Sequence, residues 1–94
     1  MYATVRRYKN AGALAGAMSS KSDEVKKLIT PIPGFVNYYA TRDGETVTSI
    51  SIYNDKAGCE ESTRRAGEWV RENVKPVVGA PEVSGGDVFI NFSK

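Results

Sequence analysis

Polar and apolar positions alternate from the start of the chain. Ala3 and Val5 fall between Thr4 and Arg6, which is the period of a strand, so Tyr2–Lys9 is predicted to be one. After Asn10-Ala11-Gly12 the period lengthens. Leu14, Met18, Val25, Leu28 and Ile29 share one helical face, predicting a helix that runs to about Ile29. Its weak point is Ser19-Ser20-Lys21-Ser22, where Lys21 enters the apolar stripe. Ser20-x-x-Asp23 has the spacing of a capping box that would restart the helix; a snorkelling Lys21 is the simpler account. Pro31-Ile32-Pro33-Gly34 ends the helix, because proline lacks an N–H donor and restricts the residue before it.

Phe35–Arg42 is aromatic and β-branched, Asp43-Gly44 is a hairpin-turn signal, and Glu45–Tyr53 is the expected partner strand. Asn54-Asp55 then offers an N-cap for a second long helix, running to about Lys75 and stopped by Pro76. Glu60–Arg64 and Glu61–Arg65 are spaced as i,i+4 ion pairs on its solvated side. Val77–Gly86 reads as a loop, and Asp87–Phe92 as the last strand. The order β-α-β-β-α-β predicts an α+β, ferredoxin-like domain over residues 1–94, a four-stranded antiparallel sheet with two helices on one face. Both parities of the strands carry large apolar groups, such as Val36 and Tyr38 against Phe35 and Tyr39, or Val47 and Tyr53 against Ile50 and Ile52. A second apolar sheet face marks an interface, so a homodimer joined through open sheet faces is expected.

Composition narrows the chemistry. The 94 residues include 13 basic and 11 acidic side chains, a net charge of +2, one cysteine and no histidine. Histidine-based triads, histidine-ligated metals and a histidine proton shuttle are excluded within the chain. Cys59 alone can form neither an intrachain disulfide nor a cysteine cluster, so neither metal nor organic cofactor is expected, and a buried structural thiol is the expected role of Cys59. The near-neutral charge gives no nucleic-acid footprint. The strand Glu45–Tyr53 lacks the aromatic and basic signature of RNA-recognition domains, and Asn10-Ala11-Gly12 lacks the paired cysteines of metal chaperones. No apolar run is long enough to span a membrane, and the first residues do not form a signal-peptide core; a cytoplasmic protein is expected. Gly85-Gly86 is a turn with no helix behind it to cradle phosphate, and Lys26-Lys27 and Arg64-Arg65 are solvated faces.

On the second long helix, Cys59, Ser62, Thr63, Ala66, Trp69, Val70, Asn73 and Val74 occupy one arc, with Arg65 just outside it. Small residues there are explained by a helix backbone lying close to the sheet. The alternative is a small cavity walled by Trp69, Ser62 and Asn73 and floored by strand residues, with Tyr39, Tyr53 and Asn37 as the candidates. Such a lining could orient a phenolate or carboxylate, but no residue stands out as a general base.

Pro33-Gly34-Phe35 entering a tyrosine-bearing strand, the hairpin after it, and Ser62-x-x-x-Ala66-x-x-Trp69 on the following helix resemble the antibiotic-biosynthesis-monooxygenase-like family over nearly the whole chain. The resemblance implies a dimeric α+β barrel, a ligand pocket between helices and sheet, and Trp69 as a pocket-lining residue. Activities in that family include cofactor-independent oxygenation of polycyclic aromatic phenols and heme degradation. Where the phenol oxygenases have an asparagine one turn before the tryptophan, this chain has Arg65. The heme-degrading pattern needs a histidine and a first-strand asparagine, and this chain has neither. The expected function is therefore a small cofactor-independent monooxygenase acting on an aromatic or quinoid molecule. The alternative is a non-catalytic homodimer that binds a small hydrophobic ligand or partner.

Overall fold

The computed structural model describes residues 1–74 and 79–94. The chain runs β1 (Tyr2–Tyr8), α1 (Gly12–Ser20), α2 (Ser22–Ile29), β2 (Phe35–Asp43), β3 (Thr46–Tyr53), α3 (Lys56–Asn73) and β4 (Glu82–Asp87). The strands form one antiparallel sheet in the order β2-β3-β1-β4, the ferredoxin-like arrangement expected from the pattern.

The hairpin loop is Gly44-Glu45, one residue later than its sequence signal, since β2 keeps Asp43 and β3 starts at Thr46. Gly44 supplies the positive φ, +60°, at the first loop position. Helix α3 begins where Asp55 accepts a hydrogen bond from the Gly58 amide at 3.0 Å. It ends at Asn73; the expected stop at Lys75-Pro76 and the start of the loop at Val77 lie outside the described residues.

Three expectations need correction. The first helix is two, α1 and α2, joined at Lys21 with φ −118° and ψ 33°. No capping box forms there, because the Ser20 hydroxyl donates back to the Ala17 carbonyl. Lys21 instead stretches to α3 and donates to Asn73 Oδ1 at 2.9 Å. Glu60 pairs with Lys56, and Arg64 pairs with Glu61 and Glu68, while Glu61–Arg65 forms as expected. The last strand is Glu82–Asp87 rather than Asp87–Phe92. Gly85 explains why so plain a segment pairs with β1: a side chain there would come within 3.0 Å of the Tyr2 ring and of the Ala3 carbonyl oxygen. Beyond it Phe89 and Phe92 stand 91% and 92% exposed.

On β1 the helix side carries Thr4, Arg6 and Tyr8, and on β3 it carries Val47, Ser49, Ser51 and Tyr53, all buried. Ala3, Val5, Ile50 and Ile52 take the opposite, open face. Apolar residues gather above and below a polar belt. One cluster joins Tyr8, Leu14, Val47, Trp69 and Val74; the other joins Ile29, Ile32, Tyr53 and Cys59.

Cys59 is buried, its thiol directed at the Tyr2 and Ser51 carbonyls. Gly58 shows how closely α3 lies on the sheet: an added Cβ would sit 2.8 Å from the Tyr53 ring. Gly58→Ala is therefore expected to destabilise by roughly 1–3 kcal/mol through overpacking, outweighing the better helix propensity of alanine. Urea unfolding checks this; an unchanged or higher midpoint would contradict the close packing.

Candidate functional site

Helix α3 packs on β1 and β3, and α1 also leans on β3, so the helix-side face of β2 is left largely uncovered. The result is a cleft of about 730 Å³ between α1–α2 and β2, a size that suits a small organic ligand. Its apolar lining includes Met18, Val25, Ile29, Phe35, Tyr38 and Val47, with Lys26, Asn37 and Arg42 among the polar residues that border it.

Why Tyr38 rather than Tyr39 faces this cleft follows from a β-bulge. Phe35 pairs with Tyr53 but Asn37 pairs with Ile52, leaving Val36 as the extra residue. The bulge exchanges faces, turning Tyr38, Ala40 and Arg42 to the helix side. Tyr39 goes to the open face, where it is 54% exposed.

Next to the cleft lies a second void of about 30 Å³, bordered by Arg6, Leu14, Leu28, Ala66, Trp69 and others. Met18, Val25, Ile29 and Tyr38 line both spaces and so form the wall between them. At its polar end is Arg6, only 1% exposed. Nε donates to Ser49 Oγ at 3.1 Å, Nη1 to Thr63 Oγ1 at 2.8 Å and Nη2 to Ser51 Oγ at 2.9 Å. Ser51 Oγ is in turn 3.4 Å from Ser62 Oγ. Among the described residues Arg6 has no ion-pair partner. A buried guanidinium held only by neutral hydroxyls has its hydrogen bonds satisfied while its charge is not, which makes its surroundings attractive to an anion.

The sequence candidates are dispersed. Asn37 lines the cleft and Trp69 the small void. The Trp69 indole N–H is directed at Glu24 Oε1, 3.4 Å away. Ser62 is fully buried in the Arg6 network, and Tyr53 is fully buried with its hydroxyl donating to the Ile29 carbonyl at 2.7 Å. Arg65 binds Glu61 and the Leu28 carbonyl, and Asn73 ties Lys21 to the Trp69 carbonyl. None of these four borders the cleft. Sequence reasoning missed Arg6 and Tyr38. The available signal was phase: Arg6 alternates with Tyr8, while Ser49 and Ser51 alternate with Val47 and Tyr53.

Burial raises the pKa of Tyr8, Tyr38 and Tyr53 above the ordinary phenol value of 10.0, with the Arg6 charge pulling each partly back. The folded state therefore holds these protons more tightly than the unfolded chain. Their contribution to stability is complete below about pH 10 and is lost as pH climbs through the folded-state values. Thermal melts are expected to fall steeply above that pH, together with tyrosinate absorbance rising at unfolding. Full ionisation of these tyrosines before unfolding would contradict it. On α3, Glu61 sits against Arg64 and Arg65, whose hydrogen bonds hold its carboxyl down to about 2.

No protein-family model matches the sequence, and no curated protein matches it. Solved structures do match in three dimensions. The heme-degrader MhuD from Mycobacterium tuberculosis, with two hemes in its active site, gives a TM-score of 0.69 at 7% identity, over 99% of this chain and 100% of that one. SnoaB, a cofactor-independent oxygenase from Streptomyces nogalater, gives 0.68 at 16% identity, over 99% and 97%. A Bordetella bronchiseptica protein described as an antibiotic biosynthesis monooxygenase gives 0.71 at 11% identity, over 95% and 97%. The chain has the fold of the antibiotic-biosynthesis-monooxygenase-like proteins.

Proposed function

We propose that this chain is a small cofactor-independent oxygenase that holds an aromatic or quinoid molecule in the cleft between α1–α2 and β2. The observation that carries the reading is the cleft itself: an aromatic and aliphatic space of about 730 Å³ beside a buried, uncompensated cation. A planar ring system fits between Met18, Val25 and Ile29 on the helices and Phe35 and Tyr38 on the strand. Rim groups Lys26 and Arg42 suit oxygen substituents. SnoaB supports the reaction class, because it is an oxygenase without a cofactor on the same fold. Heme degradation is less well supported here, because the chain contains no histidine to bind iron.

We further propose that the working unit is a homodimer formed through the open sheet face. Val5, Ile50, Ile52 and Tyr39 share that face, and the exposed Phe89, Ile90 and Phe92 add to the uncovered apolar surface.

Gly16 provides the test of the cleft. It lines the space on α1, and an added Cβ meets nothing within 4 Å. Gly16→Leu is therefore expected to raise stability by about 0.5–1 kcal/mol, since glycine is a poor helix former. The leucine should also project into the cleft and take up part of it, weakening binding of a hydroxyanthraquinone dye and oxygen uptake with anthrone- or dihydroxynaphthalene-type phenols. Unaltered dye binding in this variant would place the ligand elsewhere. Dye binding without uptake by the native chain would favour the non-catalytic ligand-binding homodimer. For that homodimer, the match is the same cleft without a base.

A further inference from the structure

We infer that the cleft selects an aromatic acid, whose carboxylate is held by the Arg42 guanidinium. This rests on the reading of the cleft as the ligand site and names the class of molecule it takes. The sign of the charge around the cleft is the first observation. Lys26 and Arg42 border it from opposite walls, α2 and β2, and among the described residues no aspartate or glutamate does. The whole chain balances 13 basic against 11 acidic side chains, so this one-sided border is not a general excess of base. All 11 acids lie within the described segments, and none forms an ion pair with Lys26 or Arg42. Those that do form ion pairs take Lys9, Lys56, Arg64 and Arg65 instead.

Arg42 is anchored as well as unpaired. The bulge at Val36 turns it to the helix side, opposite Val47. Its Nε donates to the Gly44 carbonyl oxygen at 3.0 Å, which ties the guanidinium to the hairpin turn. Nη1 and Nη2 have no partner among the described residues. The end of the fork that grips a carboxylate with two parallel N–H bonds is therefore open. The acids next to it in sequence are directed elsewhere. Asp43 follows on the open face, and Glu45 lies over the start of α1, where a Cβ added to Gly12 would be 3.0 Å from its Oε1. Lys26 is a point charge on a flexible stem, so it adds attraction without fixing geometry.

The position of Arg42 sets the length of the ligand. It lies four residues beyond Tyr38 on the same strand face, about 13 Å along an extended strand. A two- or three-ring aromatic laid from Phe35 and Tyr38 along Ala40 reaches it with a carboxylate on the terminal ring. Val47, its cross-strand neighbour, gives this end an apolar floor. With the ring in place, water is excluded from one side of the ion pair, which strengthens it beyond an ordinary surface pair. A neutral aromatic of the same size leaves the fork to solvent. The carboxylate takes no part in oxidation; it sets the direction in which the ring lies.

A dihydroxyanthraquinone carboxylic acid and its carboxamide differ in that one group, and titration of each by absorbance at neutral pH tests the assignment. The native chain is expected to bind the acid about tenfold more tightly, about 1.4 kcal/mol, and the preference is expected to shrink with added salt. Arg42→Gln should bring the ratio to about one, by weakening the acid and leaving the amide unchanged, while Arg42→Lys keeps part of it. Gly16→Leu should weaken both probes alike. Equal native affinities, with both probes sensitive to Gly16→Leu, would overturn the acid preference and leave the cleft reading intact. A preference that survives Arg42→Gln, or falls further in Lys26→Gln, would overturn the assignment to Arg42. Probes indifferent to Gly16→Leu would remove the cleft reading and this inference with it. An acid preference in a protein that consumes no oxygen would remove the oxygenase function alone.

Discussion

Arg6→Met is expected to yield a folded protein whose oxygen consumption has fallen by roughly a hundredfold or more, the cost typical of deleting one group that stabilises a developing oxyanion. The reason the fold survives is electrostatic. Burying a guanidinium without an anion carries a desolvation penalty of several kcal/mol, which three hydrogen bonds to hydroxyls offset only in part. Methionine is similar in length, fills the same channel through the core and removes that penalty. It leaves Ser49, Ser51 and Thr63 without their donor, but hydroxyls rotate, and Ser51 already has Ser62 at 3.4 Å. The balance should leave stability within about 2 kcal/mol of the native chain. A purely structural Arg6 makes the opposite pattern: a large fall in the melting midpoint, and activity per folded molecule unchanged. Denaturant unfolding measured beside oxygen uptake separates the two.

A charged residue on the open face is expected to break the proposed dimer outright. Ile50 and Ile52 face away from the helices, paired across β1 with Val5 and Ala3. Aspartate at either position costs the single chain little, about the 1 kcal/mol range of strand propensity. In a two-fold interface each substitution occurs twice, and every buried, unpaired carboxylate costs several kcal/mol. Light scattering at micromolar concentration is expected to give the native protein twice its 10.2 kDa chain mass and Ile52→Asp a single chain with unaltered circular dichroism. A native protein of single-chain mass would end the dimer proposal, as would a dimeric Ile52→Asp.

Element order was legible because each signal was local and physical. Asp55 caps α3 as its side chain dictates, the glycine of Asp43-Gly44 supplies the positive φ, and Pro31 and Pro33 separate α2 from β2. Trouble began where the reason for a residue lies in another element. Phe89, Ile90 and Phe92 alternate like a buried strand, yet β4 is the plainer Glu82–Asp87, whose backbone pairs with β1 and whose Gly85 makes room for Tyr2.

The site was less legible than the fold. Arg6, Ser49, Ser51 and Ser62 are residue types expected in water, so a rule that sends polar groups outward hides a polar belt through the core. The bulge at Val36 carries no sequence signal that fixes its position, and it alone decides whether Tyr38 or Tyr39 meets the cleft. Trp69 and the arc around it were found, but for the part of α3 that packs closest to the sheet. The open space lies on the far side of Met18 and Val25, where the helices do not cover β2.

The fate of dioxygen distinguishes an oxygenase from a ligand-binding protein most directly. Purified, chelator-treated protein given an anthrone-type phenol under isotopically heavy dioxygen is predicted to form the quinone in a saturable, protein-dependent reaction, with one heavy oxygen atom in each product molecule. Product forming no faster than in buffer across a panel of such phenols would contradict it.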